Sequence, residues 1–273
     1  MSAPLVRIAA TADLHVRTQA EQSILYEALR DLQSDADLLL IGGDLTDMGR
    51  VAEMELLAEV LQDVPIPSFV TFGNHDRRGM RRSALRKVLR NAGAIVLEGS
   101  GAIATLPTGK TIAIAGITGT GGGFAPHREE FGPGGRFTRA VMVKSRREAA
   151  RLRKAMKELQ EQTPDLTIVL SHFAPTTSTL GDEPPLKHWM LGNALLGRTI
   201  DEFGADLVIH GHAHLGNEFG QTEAGITVLN VAMPIVGGIR LLNIDEERNV
   251  QFTGKRPVRS PVMATRVRES DVR

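Results

Sequence analysis

The feature that most narrows the fold of this chain is a set of seven short apolar runs, at 5–11, 37–41, 68–72, 111–117, 165–170, 206–210 and 226–231. Each is too short for a buried helix, and several, such as DLLLI and DLTIVL, are apolar at consecutive positions instead of alternating. A strand apolar on both sides must be covered on both faces, the condition of a parallel sheet built from strand–helix–strand units. Stretches of helical period fall where such units need them, at 20–34, 50–62, 81–91, 143–161 and 194–203. The third is followed by NAGA, in which Asn91 or Gly93 can supply a left-handed stop. The expected class is α/β.

From about residue 225 the helical period disappears, and the segment starting ITVLNV reads as a meander of antiparallel strands with a turn near Asp245–Arg248. That predicts a second or mixed sheet. The segments 116–137 and 173–193 are long enough to be functional or mobile loops. One catalytic domain is expected over residues 1–254, followed by a flexible tail over 255–273, which is polar and aperiodic.

Lys plus Arg and Asp plus Glu number 32 each, so no overall field draws the chain to nucleic acid or an anionic membrane. The absence of cysteine excludes disulfides and thiolate metal ligands. The first residues run into a strand pattern without a basic region and apolar segment of the secretory kind. No stretch approaches the roughly 18 apolar residues of a membrane span. A cytoplasmic location without membrane contact is the default expectation.

Five of the apolar runs end in polar clusters: Asp13-Leu14-His15, Gly42-Gly43-Asp44, Gly73-Asn74-His75-Asp76, Ser171-His172 and Gly211-His212-Ala213-His214. The carboxyl ends of strands in an open α/β sheet line one crevice, so these clusters are expected to meet there. The first three recur about thirty residues apart, the length of one strand and its crossover helix. Carboxylates, an amide oxygen and imidazoles together suit divalent first-row cations. In an extended D-x-H segment residues i and i+2 point to one side, so Asp13 and His15 can grip one ion, and the same reasoning applies to His212 and His214.

The order D-x-H, GD, GNHD, H, GHxH resembles that of the calcineurin-like metallophosphoesterases, over residues 11 to about 232. The resemblance implies a four-layer sandwich of two mixed β-sheets flanked by helices. It implies two divalent ions, one on Asp13, His15, Asp44 and His214, the other on Asp44, Asn74, His172 and His212, with Asp44 bridging. Manganese or iron is the first expectation, with zinc, magnesium and nickel also compatible with these ligands. His75 is implied to stand beside the pair as a non-ligand acid. The expected function is hydrolysis of a phosphomonoester or phosphodiester, by attack of a metal-bridging hydroxide with His75 as proton donor. The expected partner is a small phosphorylated substrate such as a nucleotide. A phosphoprotein substrate is disfavoured, because GGDLTDMG lacks the basic residue of the GDxxDRG pattern.

Two alternatives remain at this stage. A nuclease of the same fold could follow a nucleic-acid backbone with the basic run RRGMRRSALRKVLR at 77–90, although 4% aromatic residues supply little stacking surface. A non-catalytic metal-binding scaffold would have lost ligands or the acid, and all eight positions are filled here. Arginine in a first helical turn opposes the helix dipole, so the basic run carries a small cost that hints at a use. Asp47 is expected to serve the loop or cap before helix 50–62, and Asp76 to orient its neighbours. His210 reads as a satisfied core histidine as readily as a site neighbour. His127 and His188 read as loop residues, and the glycines at 119–123 as a flexible rim.

Overall fold

The computed structural model of the chain describes residues 4–124 and 135–258. The first sheet contains β1 (Val6–Thr11), β2 (Leu38–Gly42), β3 (Ser68–Thr71), β4 (Ile95–Val96), β11 (Gly238–Ile244) and β12 (Val250–Pro257), in the order β12-β11-β1-β2-β3-β4. β1 through β4 are parallel, and β11 and β12 are added antiparallel on the β1 side. The second sheet contains β5 (Ser100–Thr105), β6 (Thr111–Ile117), β7 (Leu166–Ser171), β8 (Leu207–His210), β9 (Phe219–Gln221) and β10 (Thr227–Asn230), in the order β5-β6-β7-β8-β10-β9. Its four central strands are parallel and its two edges antiparallel.

The consecutive apolar residues divide between two layers. In β2, Leu38 and Leu40 point between the sheets, where they meet Ile8, Phe69, Ile114 and Ile168. Leu39 and Ile41 point the other way, toward α1 (Gln19–Leu29), α2 (Val51–Gln62) and α3 (Arg82–Asn91), through Leu25, Leu57 and Leu85. The outer face of the second sheet packs Ala113, Val169 and Val208 against α4 (Arg136–Gln160) and α6 (Ala194–Phe203). The result is a four-layer α/β/β/α sandwich, as expected. Burying one leucine contributes roughly 1.5–3 kcal/mol, so the paired faces account for why these runs need two partners each.

Strands apolar on both faces can slip without exposing polar groups, so something else must fix their register. Aspartates just before three strands do this. Asp37 accepts from the Arg7 N–H at 2.8 Å, Asp165 from the Thr111 N–H at 2.8 Å and Asp206 from the Thr167 N–H at 2.7 Å. Each ties a strand entrance to its neighbour, and the loops at the opposite ends are placed accordingly.

Several expectations need correction. The C-terminal segment is no continuous meander: β10 pairs parallel with β8 in the second sheet, α7 (Met233–Val236) intervenes, and β11 and β12 then form a hairpin in the first sheet. The hairpin turn does fall at Asp245–Arg248, closed by the Arg248 N–H to the Asp245 carbonyl at 3.0 Å. The tail boundary at 255 is too early, because Lys255, Arg256 and Pro257 pair with β11. Arg256 also donates to the Arg30 and Asp31 carbonyls at 2.6 and 3.0 Å, satisfying acceptors at the end of α1. The rest of the expected tail, from 259, lies outside the described residues, as does His127. Helix α4 begins at Arg136, earlier than expected, and the third helix is stopped by Gly93, whose φ is +83°. Among the described residues no helix is long and apolar enough to cross a membrane.

Candidate metal centre

The loops after β1 and β2 are stitched together by backbone bonds. The Asp13 N–H donates to the Gly43 carbonyl at 2.9 Å, and the His15 N–H to the Asp44 carbonyl at 3.0 Å. This zipper sets Asp13 and His15 beside Asp44. The second sheet joins through the Ala12 N–H to the Val231 carbonyl at 3.0 Å and the His212 N–H to Asp13 Oδ2 at 2.9 Å. Residues from both sheets therefore converge at the carboxyl ends of the parallel strands.

The backbone there is not extended. Asp13, His15, Asp44 and His212 have φ of 59°, 46°, 47° and 72°, four of the eight described non-glycine residues with positive φ. Such conformations cost about 1–3 kcal/mol each and persist only where the surroundings impose them, typically at functional sites. The i, i+2 reasoning for Asp13 and His15 is thus corrected: they meet because both turn into the left-handed region. His212 and His214 do not share one side either. His214 joins Asp13 and His15 in one group, while His212 joins Asp44 and His172 in another, all ligand atoms within 4.8 Å of one another in each group.

Asp44 stands between the groups. Its Oδ2 lies 3.9 Å from Nε2 of His15 and 3.9 Å from Nε2 of His75, and its Oδ1 lies 3.4 Å from Nε2 of His172. Asp13 Oδ1 is 3.0 Å from His214 Nε2. Asn74 Oδ1 is 2.9 Å from His172 Nε2, whose other ring nitrogen faces the Gly42 carbonyl at 2.9 Å. All eight residues singled out in the sequence lie in this one crevice.

Burial tends to raise the Asp13 carboxyl, but His214, hydrogen-bonded to it at 3.0 Å, holds it below the ordinary carboxylate range. Asp44 is pushed well above that range by burial and by the charges of Asp13 and Asp76. Burial, reinforced by His75, lowers His15 to about 3, and burial lowers His172 well below the usual value. His15 and His172 are accordingly neutral, the form that binds metals. The donor set fits divalent cations: two carboxylates only 1% exposed crowd together, and His15 Nδ1 is buried without a hydrogen-bond partner among the described residues. Positive charge at Asp44 would restore its ionised form.

The neighbouring residues take separate roles. Asp76, fully buried, accepts from the N–H groups of Leu45, Thr46 and Gly73 and from the Thr46 hydroxyl, orienting the chain on both sides of Asp44 and Asn74. Asp47 is not the cap of α2. Glu53 fills that role by accepting from Met48 and Arg50, whereas the Asp47 carbonyl takes the Nδ1–H of His75 at 2.8 Å. Arg78 donates to His75 Nε2 at 2.8 Å, a contact the sequence does not indicate. Burial and Arg78 lower the His75 pKa. His210 is a core histidine satisfied by the Gly211 carbonyl and the Thr179 hydroxyl at 2.7 and 2.8 Å.

The described residues of the two loops are built rather than slack. Residues 119–123 form a buried strap, with Gly122 donating to the Trp189 carbonyl at 2.7 Å and Gly123 to the Gly192 carbonyl at 3.0 Å, so the flexible-rim reading fails. Residues 173–193 contain a 3-10 turn at Pro185–Lys187 and α5 (His188–Leu191), and Met190 brings its carbonyl 3.2 Å from His212 Nε2. His188 lies 3.2 Å from the Glu183 carbonyl, outside the crevice groups.

A comparison with curated proteins yields no match. Among solved structures, phosphopantetheinyl hydrolase from Mycobacterium tuberculosis is 16% identical with a TM-score of 0.63, covering 84% of this chain and 89% of that one. TT1561 of Thermus thermophilus is 15% identical with a TM-score of 0.60, covering 93% and 99%. A putative 5'-nucleotidase from Staphylococcus aureus is 15% identical with a TM-score of 0.55, covering 97% of this chain and 58% of its own. At these identities the likeness establishes the sandwich fold. The family model described as calcineurin-like phosphoesterase matches residues 6–216, which takes in every cluster described above, and the chain belongs to that family.

Proposed function

We propose that the chain hydrolyses a phosphomonoester or phosphodiester of a small molecule at a centre holding two divalent cations. The observation that carries this reading is the position of Asp44, one carboxylate facing His15 through Oδ2 and His172 through Oδ1. One cation would be held by Asp13, His15, Asp44 and His214, the other by Asp44, Asn74, His172 and His212. Cations so placed supply a more acidic water nucleophile and offset charge on the phosphoryl oxygens.

The chain's own groups supply the rest. Asp13 and Asp44 would hold the cations, and the Asp76 bonds keep Asp44 and Asn74 in place. The bond from His75 Nδ1 to the Asp47 carbonyl leaves Nε2 facing the crevice. With Arg78 turned away and His75 protonated, the Nε2 proton would pass to the leaving alkoxide, a transfer that typically contributes 10²–10⁴-fold. Arg78, which donates to the same nitrogen at 2.8 Å, stabilises the form that has given up this proton and so favours its release.

The test is release of nitrophenol from mono- and bis-substituted phosphate esters with manganese, before and after chelation. Turnover that vanishes on chelation and returns with metal is expected. No metal-dependent turnover on either ester or on a panel of nucleotides would favour a non-catalytic scaffold instead.

A further inference from the structure

Arg78 apart, the basic run at 77–90 finds no task in the centre described above. Its arginines meet α4 around two carboxylates. Arg82 and Arg86 both pair with Glu98, Arg151 reaches Glu148 at 3.3 Å, and Arg77 lies 4.0 Å from Glu148. Lys144 stands one helical turn before Glu148 on α4. Among the described residues, five cationic side chains share two carboxylates there, an excess of three positive charges.

Crowding of this kind is costly unless something relieves it. Burial and Arg77 lower Arg82 to about 10, and burial and Arg77 also depress Lys144. The Nε atoms of Arg77 and Arg82 are buried without hydrogen-bond partners among the described residues. Arg82 also opens α3, a helix start with no side-chain cap, where positive charge opposes the dipole and an anion would complement it. Yet the cluster is reachable, with the Arg77 and Arg82 side chains 20% and 34% exposed.

Its position is beside the reacting centre. Arg77 ends the one-turn 3-10 segment His75–Arg77, and its guanidinium feels the charges of Asp76 and Asp44. Ser145, next to Lys144, donates at 2.7 Å to Gly121 of the strap that adjoins Trp189. Guanidinium groups present paired donors that match phosphoryl oxygens.

We propose that Arg77, Arg82 and Lys144 form a subsite for a second phosphoryl group, so that the ester cut at the Asp13–Asp44 centre belongs to a small molecule bearing two phosphoryl groups. This rests on the function proposed above and narrows it. Three excess charges confined to one spot match one dianionic group, whereas a nucleic-acid backbone calls for an extended basic track.

Binding of α,ω-alkane bisphosphonates with three to six carbons, measured calorimetrically against the matching alkyl monophosphonates on the metal-loaded protein, tests the subsite without turnover. At one length the bisphosphonate should bind at least tenfold more tightly. That advantage should fall below twofold in Arg82→Gln and shrink at least threefold in Lys144→Gln, with far-ultraviolet circular dichroism unchanged and monophosphonate binding altered less than twofold in both. Equal affinity at every length, or an advantage that survives both substitutions, overturns the subsite. Affinity for single-stranded oligonucleotides that keeps rising with length beyond two phosphates, and falls in the same variants, overturns the small-molecule assignment. Failure of the wider reading would look different: neither monophosphonate binding nor metal-dependent nitrophenyl phosphate turnover would be seen.

Discussion

Replacing Asp76 by alanine probes how the centre is held together without touching a proposed ligand. The carboxylate is fully buried and accepts from Leu45 N at 3.2 Å, Thr46 N at 2.9 Å, the Thr46 hydroxyl at 2.6 Å and Gly73 N at 2.8 Å. The hydroxyl can turn to another acceptor, but the three amides cannot. A buried donor left unsatisfied costs about 1–3 kcal/mol, so three give about 3–9 kcal/mol. Burial pushes the Asp76 carboxyl up, so the ionised native group already carries a desolvation penalty that alanine removes. Water entering the vacated space offsets more, and the net loss should lie at the lower end, about 3–4 kcal/mol. Urea unfolding of wild type, Asp76→Ala and Asp76→Asn measures it. Asn keeps one acceptor oxygen but presents an amide to the remaining donors, so it should recover less than half. Manganese affinity should fall at least tenfold in Asp76→Ala, because the orphaned amides adjoin Asp44 and Asn74. A loss below 1 kcal/mol with unchanged metal affinity would refute the claim that Asp76 organises the centre.

His75→Ala should keep its metal and lose roughly 10²–10⁴-fold in rate, most for esters with poor leaving groups; loss of bound metal in this variant would make His75 a ligand. Gly73→Ala would drive its Cβ into the Asp44 carboxylate and backbone, so metal content and stability should fall together, and a variant of normal stability and occupancy would contradict the packing described. Asp206→Ala removes the 2.7 Å acceptor of the Thr167 N–H and should lower stability by about 1–3 kcal/mol with little change in KM. A change in KM without loss of stability would mean that this aspartate does not act through strand register.

The layers and the convergence of the site are legible because apolar runs and polar strand ends repeat on the length scale of a strand–helix unit. The features that stay hidden lack any period. β5 reads SGAIAT, with no bulky alternation, and β4 is only two residues long, so neither stands out from loop sequence. The left-handed turns at Asp13, His15, Asp44 and His212 leave no mark, because glycine is the usual sign of positive φ, and here the surrounding backbone bonds impose it on other residues. The Asp47 carbonyl cannot be found from side-chain type, since its contribution to His75 is made by the backbone. The role of Asp37, Asp165 and Asp206 does carry a signal, the repeated Asp-Leu at strand entrances, which by itself looks like no more than the beginning of each apolar run. Arg78 lies in plain view in the basic run, but its reach to His75 follows from the 3-10 turn rather than from spacing that sequence alone makes compelling.

The shared position of Asp44 is best tested by counting ions. Equilibrium dialysis with manganese followed by elemental analysis should give two ions per chain for the wild type. In Asp44→Ala both should be lost or weakened together, with activity abolished. Retention of one tightly bound ion at normal affinity, or full occupancy of both, would contradict a carboxylate common to the two groups of ligands.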